Sequence, residues 1–137
     1  SNCQTSALVL LQEESRLNDI VRLVGYDSLS HEDQLKLEIS KSIREDFLQQ
    51  NAFVEEDSYT TLNKQFMMLQ TILHFYNLSK QALKAGVYLK DILELPVREK
   101  LGRLKEVPED SMEKINEIQT TMSQEFDTII QERGNRG

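Results

Sequence analysis

Tryptophan is absent from this 137-residue chain, cysteine occurs once, and glycine and proline number five and two. The single cysteine, Cys3, excludes an intrachain disulfide. So few turn formers argue against a fold of many tight turns and favour long helices. The glycines are isolated or terminal, so no glycine-rich phosphate loop is present. Basic residues are in deficit: 16 Lys and Arg stand against 23 Asp and Glu, a net charge of −7. That balance argues against nucleic acid as a partner, because phosphates require a basic surface. Apolar runs such as 7–11 fall far short of the ~18 residues that suggest a membrane span, so no direct membrane insertion is expected.

The residues that are present describe a helical domain. Hydrophobic content is 39% and charged content 28%, ordinary for a globular chain. A chain of this length buries roughly 68% of its unfolded surface, enough for a real core. No segment sustains two-residue alternation, and there is no repeat or low-complexity tract. The expected fold is all-α: a helical bundle of about four longer helices plus short helices, with no sheet.

A first helix is expected over 6–24, with Leu8, Leu11, Leu17, Ile20, Val21 and Val24 on its apolar stripe and Gly25 at its end. A third is expected from 60 or 61 to 85, with Leu62, Phe66, Leu69, Ile72, Leu73, Tyr76 and Leu83 buried and Gly86 closing it. Short helices are expected over 88–93 and 96–105, the second opened by Pro96. The last, over 109–132, carries Met112, Ile115, Ile118, Met122, Phe126, Ile129 and Ile130 at three- and four-residue spacing. Residues 1–5 read as a tag remnant or disordered lead-in, and 134–137 as a frayed tail.

The stretch 25–53 organises the rest. Ser30 is placed to cap a helix, Asp33 follows three residues later in the style of a capping box, and Glu32 and Asp33 suit the positive end of the helix dipole. Leu35, Ile39, Ile43 and Phe47 then recur every four residues as one ridge on a rod reaching about residue 50. The rod joins an acidic turn to a polar and aromatic segment. Residues 51–59 lack clean periodicity and are expected as a loop or broken helix.

Catalytic constellations are missing. His31 and His74 have no partner at metal-ligand spacing and read as helix-end and core-edge residues. No nucleophile elbow arms a serine, and Cys3 lies in the lead-in. Glu55-Glu56-Asp57 reads as a solvated loop rather than a cation site. Arg98, Lys100, Arg103 and Lys105 read as a solvated helix face, the alternative being a salt bridge to a neighbouring acidic surface. Met67-Met68 and Phe75-Tyr76 read as core.

Phe47-Leu48-Gln49-Gln50-Asn51-Ala52-Phe53 resembles a segment of the catalytic A (alpha) subunit of V/A-type ATP synthases, just after the nucleotide-binding domain. Arg44-Glu45-Asp46 before it and Asp57-Ser58-Tyr59 beyond it fit the same pattern. Ile72-Leu73-His74-Phe75-Tyr76 and Leu95-Pro96-Val97-Arg98-Glu99-Lys100 resemble later family segments in order, so the likeness runs from about residue 8 to 130. Gly25-Tyr26-Asp27-Ser28-Leu29-Ser30-His31-Glu32-Asp33 is similar to the lever of F-type catalytic beta subunits, with Ser28 and His31 where that pattern has Glu.

The resemblance implies a C-terminal helical domain over 6–133, belonging to the catalytic subunit of a rotary enzyme that couples ATP synthesis or hydrolysis to ion transport. It implies that Asn51, Ala52 and Phe53 line the adenine pocket; the family often has His where this chain has Val54. It implies that Asp27, Ser28, Leu29, Ser30, His31, Glu32 and Asp33 form a lever against the central stalk. ATP or ADP with Mg2+ belongs to the full-length parent, and this stretch alone is expected neither to bind nucleotide tightly nor to hydrolyse it. Implied partners are the upstream nucleotide-binding domain, the B subunits of the head and the stalk subunits. The implied location is peripheral, on the cytoplasmic face of a membrane. The alternative is a stand-alone acidic helical adaptor or regulator.

Overall fold

Heptad spacing sets the first helix. A computed structural model describes residues 2–48 and 59–136. In α1 (Asn2–Val24), Ala7, Leu10 and Leu17 are buried, with Cys3 and Val21 packed beside them. Positions 3, 10 and 17, and 7, 14 and 21, are each seven apart, which keeps one seam on a neighbouring helix. Leu8 and Val24, expected on this stripe, are 57% and 67% exposed. The apolar run 7–11 covers every side of a helix, so the neighbour decides which side is buried. Here Ala7 and Leu10 take the inner positions. The helix also starts earlier than expected, because packing of Cys3 holds its first turn.

Gly25 ends α1 with φ of 93°, a conformation that glycine adopts without a Cβ clash. A tight helical turn, Tyr26–Ser28, leads to α2 (His31–Ser42). Ser30 caps α2 as expected: its hydroxyl accepts from the Asp33 N–H at 3.1 Å. The ridge holds too, with Leu35, Ile39 and Ile43 buried and Phe47 packed on the core.

The rod does not stay α-helical to residue 50. It widens into a π-helical turn at Ile43–Leu48. A strict four-residue ridge drifts by about 40° per step around an α-helix. A wider turn advances less per residue and brings Phe47 back over the core that holds Leu35.

In α3 (Tyr59–Lys84) the buried face runs through Met68, Ile72, Phe75, Ser79 and Ala82, with Leu69 and Leu73 alongside. Leu62 and Phe66, expected on that face, are exposed. They fall off the four-three spacing that the later turns follow. Gly86, with φ of 90°, turns the chain after α3. Then come α4 (Leu89–Leu93) and α5 (Pro96–Leu101), with Pro96 in the first turn of α5. That helix stops short of 105, and the turns Leu104–Glu106 and Glu109–Ser111 follow. The last helix, α6 (Glu113–Arg136), starts a turn later than expected and continues through Gly134. Ile115, Met122 and Phe126 are its buried residues.

The helices form a bundle without a strand among the described residues, four of them long and two short. α1 lies along α2, α3 along α6, and α2 against α3. The rings of Phe75 and Phe126 meet edge to face at 5.3 Å and 68°. The main core draws on all six helices; a separate small cluster of Leu17, Leu29 and Leu37 sits by the 25–30 turn.

Candidate functional site

The acidic turn is tied down from inside. The Ser28 backbone N–H and hydroxyl both donate to the Gly25 carbonyl, at 3.2 and 2.6 Å. Leu29 N–H donates to the Tyr26 carbonyl at 3.1 Å. From the first turn of α2, the buried Gln34 amide donates to the carbonyls of Tyr26 at 3.2 Å and Leu29 at 3.4 Å. Leu29 itself is only 7% exposed, wedged against Leu17 and Leu37.

The residues expected as a lever therefore divide. Asp27, Ser28, Ser30, His31 and Glu32 face solvent, Asp33 is half-buried, and Leu29 points inward. Asp33 lies 3.8 Å from Lys36, which also pairs with Glu13 of α1 at 3.0 Å. Pairing with the Glu13 carboxylate holds the Lys36 ammonium above its usual range, against the pull of burial.

Further ties brace α2 along its length. The Ser40 hydroxyl, fully buried, donates to the Leu10 carbonyl at 3.0 Å. Arg44, in the π turn, donates to Glu14 at 2.8 Å. Glu14 occupies one of the heptad seam positions of α1, so its charge is half-buried and needs that partner. On the other side Arg98 of α5 pairs with Glu38 of α2 at 2.9 Å. Burial pushes the nearby Tyr26 phenol up, and Glu38 adds to the effect.

The segment 95–100 is structural in this setting. Glu125 of α6 accepts the Val97 N–H at 3.0 Å, placing a carboxylate at the start of α5. Of the expected basic face, Arg98 binds within the molecule, Arg103 pairs locally with Glu99 and Glu106, and Lys100 and Lys105 are exposed. An open cleft of about 350 Å³ lies between the π turn and this segment, lined by Ser42, Asp46, Pro96 and Arg98 among others. Burial raises the Asp46 carboxyl above its usual range, and Glu45 adds to the rise.

The expected pocket residues Asn51, Ala52 and Phe53 lie outside the described residues, as does Glu55-Glu56-Asp57. His31 opens α2 in solvent, while His74 Nε2 sits 3.4 Å from the Ser123 hydroxyl, half-buried. Among the described residues no three His, Cys, Asp or Glu side chains converge as a metal site. None of their helices is long and apolar enough to cross a membrane. The arrangement braces α2 against α1 on one side and α5 on the other. Sequence reading missed Glu13, Glu14, Gln34, Glu38 and Glu125, which do the bracing. Only Gln34 carried a local signal, a polar residue beside the ridge next to an N-cap.

The family described as the C-terminal domain of V and A type ATP synthase matches residues 1–93. The chain is 53% identical over 131 residues to the V-type ATP synthase alpha chain of Clostridium botulinum (strain Okra / Type B1), covering 96% of this chain and 22% of that protein. It is 52% identical over 134 residues to the V-type ATP synthase alpha chain of Clostridium perfringens (strain SM101 / Type A), covering 98% and 23%. The chain thus spans less than a quarter of the length of these curated relatives.

Proposed function

The chain belongs to the family of C-terminal domains of V and A type ATP synthases, and from that premise we propose that residues 6–133 are the coupling domain of a catalytic alpha chain. The parent enzyme couples ATP synthesis or hydrolysis to ion transport across a membrane. The upstream nucleotide-binding domain of the same subunit holds ATP or ADP with Mg2+ and supplies the phosphate chemistry. Asn51, Ala52 and Phe53 close the base side of that pocket, where an aromatic face and a small neighbour suit a purine. Asp27, Ser28, Ser30, His31, Glu32 and Asp33, seated on Leu29, meet the central stalk. B subunits of the head flank the domain, and the complex sits peripherally on the cytoplasmic face of the membrane.

One observation carries this reading. α2 and its π turn form a single braced rod from the Ser30 cap to Leu48, which directly precedes the 49–53 segment. Ties to α1 at Leu10, Glu13 and Glu14 and to α5 at Arg98 make the rod move as a unit with its neighbours. A displacement at the nucleotide end then appears at the turn. The adaptor reading is not favoured, because it gives no account of family membership.

The test uses the full-length catalytic chain. Phe53→Ala should weaken ATP binding by about tenfold, the loss of one stacked ring. The 137-residue chain alone should bind ATP weakly and hydrolyse none. Tight ATP binding by this chain in calorimetry, or an unchanged affinity in Phe53→Ala, would remove the pocket role.

A further inference from the structure

Of the charged residues in the π turn, Arg44 alone makes an ion pair with another element among the described residues. Its Nε and Nη2 donate to the two carboxylate oxygens of Glu14 on α1, at 3.5 and 2.8 Å. The Glu14 side chain is only 14% exposed and pairs with no other cation among the described residues. Two donors on two acceptors fix an angle as well as a distance. Glu45, 3.9 Å from Arg44 within the same turn, ties nothing across to α1. The fork sits where α2 departs from α geometry. A π turn holds one residue more than the α turn it replaces, and such turns are rare. Relaxation to α would rotate the chain beyond it by about 100°, one residue's step. Phe47 resists that rotation by packing on the core, and Arg44 by its hold on α1. The turn ends at Leu48, directly before 49–53.

We infer that Glu14 and Arg44 are a positioning pair for nucleotide: they hold the π turn, and the turn sets the direction in which the chain leaves the rod at Leu48 toward Asn51, Ala52 and Phe53. The inference rests on the pocket role proposed above and deepens it. Neither side chain touches ATP. The pair acts on the fraction of molecules in which the turn is set for binding, and a fall in that fraction lowers the apparent affinity in proportion. Once ATP is bound the turn is in place, so the rate at saturation does not depend on the pair. Lys36 with Glu13 supplies an internal control. It too joins α2 to α1, at 3.0 Å, but it lies before the turn, toward the Ser30 end.

The test uses the full-length catalytic chain in the assembled enzyme. Glu14→Gln and Arg44→Gln should each raise the KM for ATP about tenfold, with kcat within about twofold of the natural enzyme. The double variant should lose no more than either single one, because both remove the same contact. Arg44→Lys keeps the charge but not the fork and should recover part of the affinity. Glu13→Gln, which breaks the tie before the turn, should leave the KM unchanged. An unchanged KM in Glu14→Gln and Arg44→Gln overturns the inference, and so do losses that add in the double variant. An equal rise in KM in Glu13→Gln overturns it too, since any loosening of α1 from α2 would then suffice. A lowered kcat at an unchanged KM assigns the pair to a later step and overturns it as well. Phe53→Ala separates the two claims. If it leaves ATP affinity unchanged, the pocket role falls; if it weakens affinity while the pair variants do not, the inference alone falls.

Discussion

The two ends of α2 are held by different means. At the Ser30 end the fixing groups are close in sequence: the Ser30 cap, the Gly25–Ser28 hydrogen bonds, and Gln34 reaching back to Tyr26 and Leu29. A small cluster of Leu17, Leu29 and Leu37, with Ile20 and Val21 packed on it, backs them. At the Ile43 end the fixing groups come from far along the chain. Ile43 and Phe47 enter the main core, and Arg44 reaches Glu14 thirty residues away. A locally stitched end can keep its shape while little is packed beneath it. A core-anchored end keeps its position because moving it disturbs several helices.

Four substitutions test that contrast, in falling order of effect. Ile43→Ala should cost about 3 kcal/mol, because it leaves a cavity in the main core. Urea denaturation should show the loss as a shift of the global midpoint with the slope unchanged. Leu29→Ala should cost about 2 kcal/mol, at the low end for a buried leucine because its cluster is small. Its signature in amide hydrogen exchange should be local, with faster exchange over 25–37 and little change in α3 and α6. If both substitutions open the whole molecule equally, the two ends are one cooperative unit and the contrast fails.

Ser30→Ala should cost about 1 kcal/mol through the lost cap, read as a lowered melting temperature. Asp46→Asn should have the smallest effect and the most specific pH dependence. Burial raises the Asp46 carboxyl in the folded state above its ordinary value of 3.8. The folded state then binds more protons than the unfolded state between those two values, so stability falls as pH rises through that window. At neutral pH the amide should be the more stable form, and below 3.8 its advantage should vanish. An advantage that persists at low pH would assign the effect to packing instead.

Much of the near end was legible because its causes are local. Ser30 with Asp33, Gly25 after an apolar helix, Gly86 and Pro96 each act within a few residues, and each stands where the sequence places it. The ridge Leu35–Ile39–Ile43–Phe47 was legible as spacing, though not the π turn that keeps it inward, since no residue type marks such a turn. The face of α1 was misread at Leu8 and Val24 because a run apolar on all sides leaves the choice to α2. Arg98–Glu38 and Val97–Glu125 join residues 60 and 28 apart, and nothing within either segment names the partner. At the candidate site, residues 27–33 were named as one group, and the inward orientation of Leu29 depended on Leu17 and Leu37 arriving from other elements.

The π turn has a last consequence for how α1 and α2 lie together. A seven-residue repeat, such as 3–10–17 in α1, asks its partner to coil around it left-handedly. A repeat longer than the helical pitch, such as the four-residue ridge of α2, asks for the opposite hand. Two paired helices cannot obey both requests over their full length. The wide turn at Ile43–Leu48 returns the ridge of α2 to the core in one place, so that helix need not wind along its whole length to keep Phe47 inward.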